Sequence, residues 1–199
     1  SRSLAACEGA ILIVDASQGV QAQTLANIYL ALEADLKIIP VLNKIDLPAA
    51  DVPKASREII ELLGCDESEI LKISAKTGEG VEAVLQAVVE RIPAPQGEIN
   101  SPTRALIFDS YYDDYRGVVL YVRVVDGHIN KSESIYMIAT KASGLALEVG
   151  YLVPKMSPKP ALQTGEIGYI VTNLKSTREA HVGDTIALTK QVSQTRPLS

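Results

Sequence analysis

The chain has 199 residues, 47% of them hydrophobic and 22% charged, which excludes a disordered chain and allows one large or two small globular domains. The net charge is −6 over residues 1–92 and +2 over residues 103–199, so the first half is unsuited to gripping nucleic acid directly. Cys7 and Cys65 have no ligand spacing and indicate reduced thiols of a cytosolic protein. No apolar run reaches the length of a membrane-spanning helix.

The first half alternates strand and helix patterns. Apolar runs and helical spacing predict strands over 10–14, 38–42 and 69–73 and helices over 20–34, 55–63 and 81–92. The helical spacing also places two sets of residues on one apolar face each: Leu25, Ile28, Tyr29 and Leu32 in the first predicted helix, and Val81, Val84, Leu85, Val88 and Ile92 in the third. This order predicts an α/β unit over 1–92, a parallel sheet with crossover helices.

Polar residues follow the second predicted strand directly, at the carboxyl end where ligands of parallel sheets bind. The carboxylate of Asp46 can accept from both the N1–H and the 2-amino group of guanine. The amide of Asn43 can hold the loop or meet the base edge, and the stem of Lys44 can lie on the purine face. Adenine would leave Asp46 unpaired, at a cost of roughly 1–3 kcal/mol or more. The loop therefore predicts guanine binding, with an ordinary polar turn as the alternative.

A second polar loop follows the third predicted strand. Its presence makes an ordinary polar turn at 43–46 a weaker explanation than guanine binding. The backbone N–H of Ala75 can point at the guanine O6 atom. Ser74 can brace the loop, and the stem of Lys76 can cover the base. We expect the two loops to converge on one flat heterocycle.

The second half changes to a period of two. Residues 93–102 contain three prolines and predict a linker. Strands are predicted over 105–109, 118–125, 134–140, 145–153, 167–171 and 185–188, without a convincing helix. They indicate an all-β barrel over 103–190, with 191–199 as the start of a further linker.

Two local features of the predicted barrel carry expectations of their own. The pair at 126–127, Asp-Gly, predicts a hairpin turn because glycine tolerates positive φ. Tyr111, Tyr112, Tyr115 and Arg116 form a polar-aromatic cluster, for which we favour a packed loop with solvated tips over an RNA contact.

These motifs carry a family resemblance. Asn-Lys-Ile-Asp at 43–46 and Ser-Ala-Lys at 74–76 resemble the two base-specificity motifs of the GTPase superfamily. Residues 14–24 are similar to the stretch before them in translational GTPases, and 108–118 resembles the start of the second domain in the elongation factor 4 (LepA) group. The Lys-Ser pair at 131–132 departs from that family, in which glycine commonly occupies the turn.

The resemblance implies that the parent protein hydrolyses GTP to GDP with Mg²⁺ and acts on tRNA–mRNA movement during elongation. The implied partners are the ribosome, through rRNA and ribosomal proteins, and tRNA. The implied location is the cytoplasm, or an organelle stroma or matrix in a eukaryote, and the resemblance allows peripheral association with the inner face of the cell membrane. An elongation factor G-like GTPase and a non-catalytic ribosome-binding module are the alternatives.

No phosphate-binding Gly-x-x-x-x-Gly-Lys-Ser/Thr loop occurs in the sequence. In the resembled family this loop, and the residues that hold Mg²⁺, precede the segment matched here. We therefore expect a fragment with no catalytic or metal-binding residue of its own, inactive alone. We also expect it to be poorly soluble, or to bind guanine nucleotide too weakly to measure, because its first strand lacks a neighbour.

Overall fold

The computed structural model describes residues 2–198, which form two compact units. The first contains Cys7–Ala94, and the second contains Arg2–Ala6 together with the residues from Pro95 onward. Arg2–Ala6 is a short 3-10 helix.

The first unit is a three-stranded parallel sheet with three helices, as predicted. Its strands are in the order β1-β2-β3. The third strand is shorter than the predicted 69–73, because Glu67–Glu69 forms a 3-10 helix before it. The elements in chain order are β1 (Gly9–Asp15), α1 (Ala22–Glu33), β2 (Lys37–Asn43), α2 (Val52–Leu63), β3 (Leu71–Lys72) and α3 (Val81–Arg91).

The best-marked helix, α2, begins and ends at residues that suit those positions. The side chain of Asp51 accepts a hydrogen bond from the N–H of Lys54 (3.0 Å), and Pro53 lies in the first turn, where it has no bond to lose. Gly64 ends the helix with φ of +65°, a left-handed conformation that glycine adopts without strain.

The predicted core faces of α1 and α3 are partly wrong. Ile28 and Val84 are buried, as predicted, whereas Leu25, Tyr29, Leu32 and Leu85 are exposed. Helix α1 also buries Ala31. The physical reason is the width of the sheet: three strands cover one stripe of each helix and leave the flanking apolar positions in solvent.

The second unit is a β-barrel, as predicted, with three short strands that the sequence pattern did not indicate. Six strands close into an antiparallel ring in the order β4-β5-β11-β8-β7-β12 and back to β4. In chain order the strands are β4 (Arg104–Asp113), β5 (Gly117–Asp126), β6 (His128–Asn130), β7 (Ser134–Met137), β8 (Ser143–Val153), β9 (Lys155–Lys159), β10 (Ala161–Gln163), β11 (Ile167–Thr172) and β12 (Thr185–Leu188).

The barrel core is fully enclosed. Ile107, Leu120 and Ile186 are among its large apolar side chains with no exposed surface. Tyr169 is also fully buried and donates its hydroxyl to Glu148 Oε1 (2.6 Å), which satisfies the one polar atom of that side chain. Ring closure accounts for the burial of the three apolar core residues, because each of the six strands has a neighbour on both sides. Tyr169 lies in a separate cluster, against which Tyr111, Tyr121 and Met156 pack.

The prediction of a hairpin at 126–127 is wrong about which strands pair, but the positive φ predicted for the glycine is confirmed. Gly127 has φ of +66°, but β6 pairs with β10, whereas β5 pairs with β4 and β11. A Cβ at Gly127 would lie 2.7 Å from Thr103 Oγ1 and 2.9 Å from Ser101 O. The glycine therefore forms a tight corner that directs the chain away from β5.

The non-glycine turn at Ser132 keeps the geometry that glycine would give. Ser132 has φ of +68°, and its N–H donates to Ala146 O (2.7 Å). The neighbouring N–H of Lys131 donates to Pro160 O (2.9 Å). Two backbone hydrogen bonds thus hold a serine in the left-handed region.

The tyrosine-rich hairpin between β4 and β5 is packed at its base and open at its tip. The Tyr111 ring lies 5.6 Å from that of Tyr121. At the tip, Asp113 Oδ1 accepts the N–H groups of Tyr115 and Arg116 (2.9 Å each), while the Tyr115 side chain is 99% exposed. This is the packed loop with solvated tips favoured above.

Residues from Pro95 onward in the predicted linker group with the barrel. The N–H of Glu98 donates to Asp126 Oδ1 (2.8 Å), and Glu98 O accepts the N–H of Gly127 (3.0 Å). A Cβ at Gly97 would collide with Val125 O. Asp126 is buried, and its other oxygen accepts from Arg104 Nε at 2.6 Å. This part of the segment is tied to the barrel surface.

Candidate functional site

The two predicted loops meet at the carboxyl edge of the sheet. Strands β2 and β3 run parallel with Leu42 opposite Lys72, so the loops that follow them emerge side by side. The N–H of Ile73 donates to Leu42 O (2.8 Å), and the N–H of Ile45 donates to Ile73 O (3.3 Å). These bonds extend the pairing beyond the strands and hold the two loops together.

Asn43 joins the two loops through one atom. Its Oδ1 accepts the N–H of Lys44 (2.8 Å) in its own loop and the N–H of Ala75 (3.0 Å) in the other. The amide thus holds the loop, one of the two roles predicted for it. The N–H of Ala75, which the sequence predicts to point at a base, donates to Asn43 in this structure.

The second loop is built around a buried serine. Ser74 has no exposed surface, and its Oγ accepts the N–H of Thr77 (3.2 Å). Its backbone is bonded on both sides: its N–H donates to Glu79 O (3.0 Å), and its carbonyl accepts the N–H of Gly78 (2.9 Å). These bonds brace the loop from inside and leave Ala75 on its exposed rim.

Gly80 fixes where the second loop gives way to α3. Its φ is +72°, and a Cβ there would lie 2.6 Å from Lys72 O. Any other residue would therefore push against the backbone of β3. The close approach keeps the loop tight against the sheet.

The charged side chains of the site differ in how they are held. Asp46 and Lys76 are exposed, and neither side chain has a hydrogen bond or ion pair to any residue within 2–198. Lys44 has φ of +66°, and its Nζ lies 2.6 Å from Asp15 Oδ2. The site thus offers one free carboxylate, one free ammonium and one tethered ammonium.

Asp15, which the sequence analysis did not assign to the site, is a third contributor. It ends β1 and lies in register with Asn43 of β2. The Lys44 ammonium, followed by the hydroxyl and N–H of Ser17, lowers the pKa of Asp15 to about 2. A signal was available, because Asp15 directly follows an apolar strand, as Asn43 does.

The donor set fits a guanine base. A free carboxylate suits two adjacent N–H donors, and the stems of Lys44 and Lys76 can cover the faces of a flat ring. No group of three or more His, Cys, Asp and Glu side chains in the described part of the chain could hold a metal ion, so no residue is assigned to Mg²⁺. None of the described helices is both long and apolar enough to cross a membrane.

Two known families match the two units. Residues 1–94 match the elongation factor Tu GTP binding domain, and residues 117–187 match elongation factor Tu domain 2.

Relatives and a solved structure agree with these matches. Elongation factor 4 of Cutibacterium acnes is 57% identical over 98% of this chain, and that of Streptomyces avermitilis is 60% identical over 94%. The chain spans about a third of these relatives, 32% and 30% of their lengths. Translation elongation factor SelB from Methanococcus maripaludis, in its apo form, has the same fold, with a TM-score of 0.77 at 15% identity over 94% of this chain and 41% of its own.

Proposed function

This chain belongs to the translational GTPase family, and from that premise we propose that the carboxyl edge of its sheet binds the guanine base of GTP and GDP. The observation that carries the proposal is Asn43 Oδ1, which joins the two loops while the Asp46 carboxylate stays free beside them. Asp46 accepts from guanine N1–H and the 2-amino group. The stems of Lys44 and Lys76 cover the ring.

In this proposal the backbone N–H of Ala75 serves two hydrogen-bond acceptors. Its N–H already donates to Asn43 Oδ1. Guanine O6 would approach the same N–H, which then serves both acceptors as a three-centre donor. Ser74 contributes by bracing the loop and does not touch the base.

The substitution Asp46→Asn in the full-length protein tests base recognition. An amide can donate to the 2-oxo group of xanthine but cannot accept both guanine donors. We expect the affinity for GDP to fall roughly ten- to hundredfold and that for xanthosine diphosphate to rise, measured by titration calorimetry.

Asp35→Asn is the matched control for this experiment. Asp35 is exposed and lies just before β2, at the opposite edge of the sheet. It should leave both affinities unchanged. An unaltered GDP affinity in Asp46→Asn would remove Asp46 from the site.

We propose further that the parent protein hydrolyses GTP with Mg²⁺ and acts on tRNA–mRNA movement, with the barrel docking on the ribosome. Support comes from the name elongation factor 4 carried by relatives that match nearly the whole chain, which also favours this assignment over an elongation factor G-like one. The cytoplasmic location and the peripheral membrane association stay predictions from the resemblance. The test measures GTP hydrolysis by the full-length protein with and without ribosomes, and its co-sedimentation with them. If ribosomes neither stimulate hydrolysis nor carry the protein down, the docking role is overturned.

A further inference from the structure

The ion pair between Asp15 and Lys44 is built into the frame of the site. Asp15 Oδ2 lies 2.6 Å from Lys44 Nζ, while Oδ1 accepts the N–H (2.8 Å) and the hydroxyl (2.6 Å) of Ser17. The next residue, Ala16, donates its N–H to Asn43 O (2.9 Å). The carboxylate is therefore fixed without help from Lys44.

Lys44 is held at both ends. Its backbone adopts φ of +66°, and its N–H donates to Asn43 Oδ1. Its ammonium is tied to Asp15, yet the side chain is 52% exposed. The aliphatic stem thus runs between two fixed ends and is partly exposed to solvent. A tethered stem of this kind is a preformed apolar surface for a flat ring.

We propose that Asp15 is a positioning residue that sets the Lys44 stem in place to cover a purine base. The proposal rests on the proposed guanine site. A free lysine loses rotamer freedom when it packs on a ligand, whereas one already tethered has lost that freedom beforehand. Because the stem contacts the ring face, its position affects the affinity for guanine and xanthine alike and leaves the choice between them to Asp46.

A double-mutant cycle in the full-length protein tests this role, with fluorescent N-methylanthraniloyl GDP as the probe. We expect Asp15→Asn to weaken binding about three- to tenfold, mainly through faster release. In a Lys44→Met background, where no ammonium remains to be tethered, the same substitution should have no further effect. Glu67→Gln, which breaks the exposed Glu67–Lys72 pair (3.0 Å) elsewhere in the unit, is the matched control and should change nothing.

Two results would overturn the proposal. One is an unchanged affinity in Asp15→Asn; the other is an equal loss in the Lys44→Met background, which would mean that Asp15 acts through the fold. Should Asp15→Asn not fold, Asp15→Glu gives the same test, because it keeps the charge and moves the anchor by one methylene.

The base-choice measurement separates this proposal from the guanine assignment. Asp15→Asn should leave the ratio of GDP to xanthosine diphosphate affinity as in the wild type, whereas Asp46→Asn should reverse it. If Asp46→Asn does not shift the ratio, the guanine assignment fails. If it shifts and the Asp15–Lys44 coupling is absent, the positioning role alone fails.

Discussion

Strands β1–β3 form an open sheet, whereas six strands of the barrel close on themselves. In the described residues β1 pairs on one side only, with β2, and its Ile11 and Ile13 are exposed. Helix α3 likewise exposes Leu85 and Val89. The barrel encloses its large core residues completely. The comparison teaches that an apolar side chain stabilises a unit only where the topology brings a second layer or strand over it.

The largest expected difference between the units comes from removing the same side chain from each. Leu120→Ala in the barrel core should cost about 2–5 kcal/mol, because it leaves a cavity in a closed ring. Leu85→Ala, on the exposed side of α3, should change stability by less than about 0.5 kcal/mol. Hydrogen exchange of the β5 and α3 amides measures the loss of stability in each unit separately. Losses of similar size in the two units would contradict the difference proposed between them.

A second prediction concerns a buried tyrosine of the barrel at high pH. Burial, and then the hydrogen bond to Glu148, raise the pKa of Tyr169 from 10.0 to about 12. A raised pKa means that this stabilisation is complete below pH 10 and is lost as the pH rises through 12. The free energy of unfolding of the barrel should therefore drop by about 2 kcal/mol over that range. Unfolding monitored at each pH by near-ultraviolet circular dichroism measures this drop.

Substitution identifies the source of that loss. Tyr169→Phe removes the tyrosine with the largest rise in pKa and should reduce the loss between pH 10 and 12. Tyr111 and Tyr151, whose pKa values burial and hydrogen bonding also raise, keep the remainder. Tyr29→Phe, on the exposed face of α1, is the counterpart in the open unit and should leave the loss in place. A barrel that keeps its stability to pH 12 would contradict the assignment to Tyr169.

The smallest effect expected is a gain in the barrel. Ser132→Gly should raise stability by about 0.5 kcal/mol, because glycine relieves a left-handed serine but has more freedom to lose on folding. Ser134→Gly, two residues on in β7, should instead cost about 0.5–1 kcal/mol. Thermal unfolding of the two variants gives the sign directly, and two losses would show that the turn at Ser132 is not strained.

The sequence predicted the six strands of the ring because each carries apolar residues with a period of two, and the closed barrel buries those residues. It missed β9, Lys155–Lys159, because that segment has no apolar pattern and is a strand only through its hairpin pairing with β8. It also put Tyr29 and Leu32 in the core, since helical spacing does not reveal how many strands lie beneath.

For the site, the positions of the strand ends in the sequence were enough to predict that the two loops lie side by side. Sequence could not give the hydrogen bond from Ala75 to Asn43, because that depends on how two loops 32 residues apart approach each other. The pairing of Lys44 with Asp15 escaped for a similar reason, since the partner lies on another strand. The guanine-binding role of these residues stays a prediction.

The attachment of Glu98 to Asp126 has a practical consequence for preparing the barrel on its own. A chain cut at residue 103 would leave a buried carboxylate without its backbone donor and the corner at Gly127 without its acceptor. Starting at Pro95 retains both, at the cost of eight residues that look dispensable in the sequence.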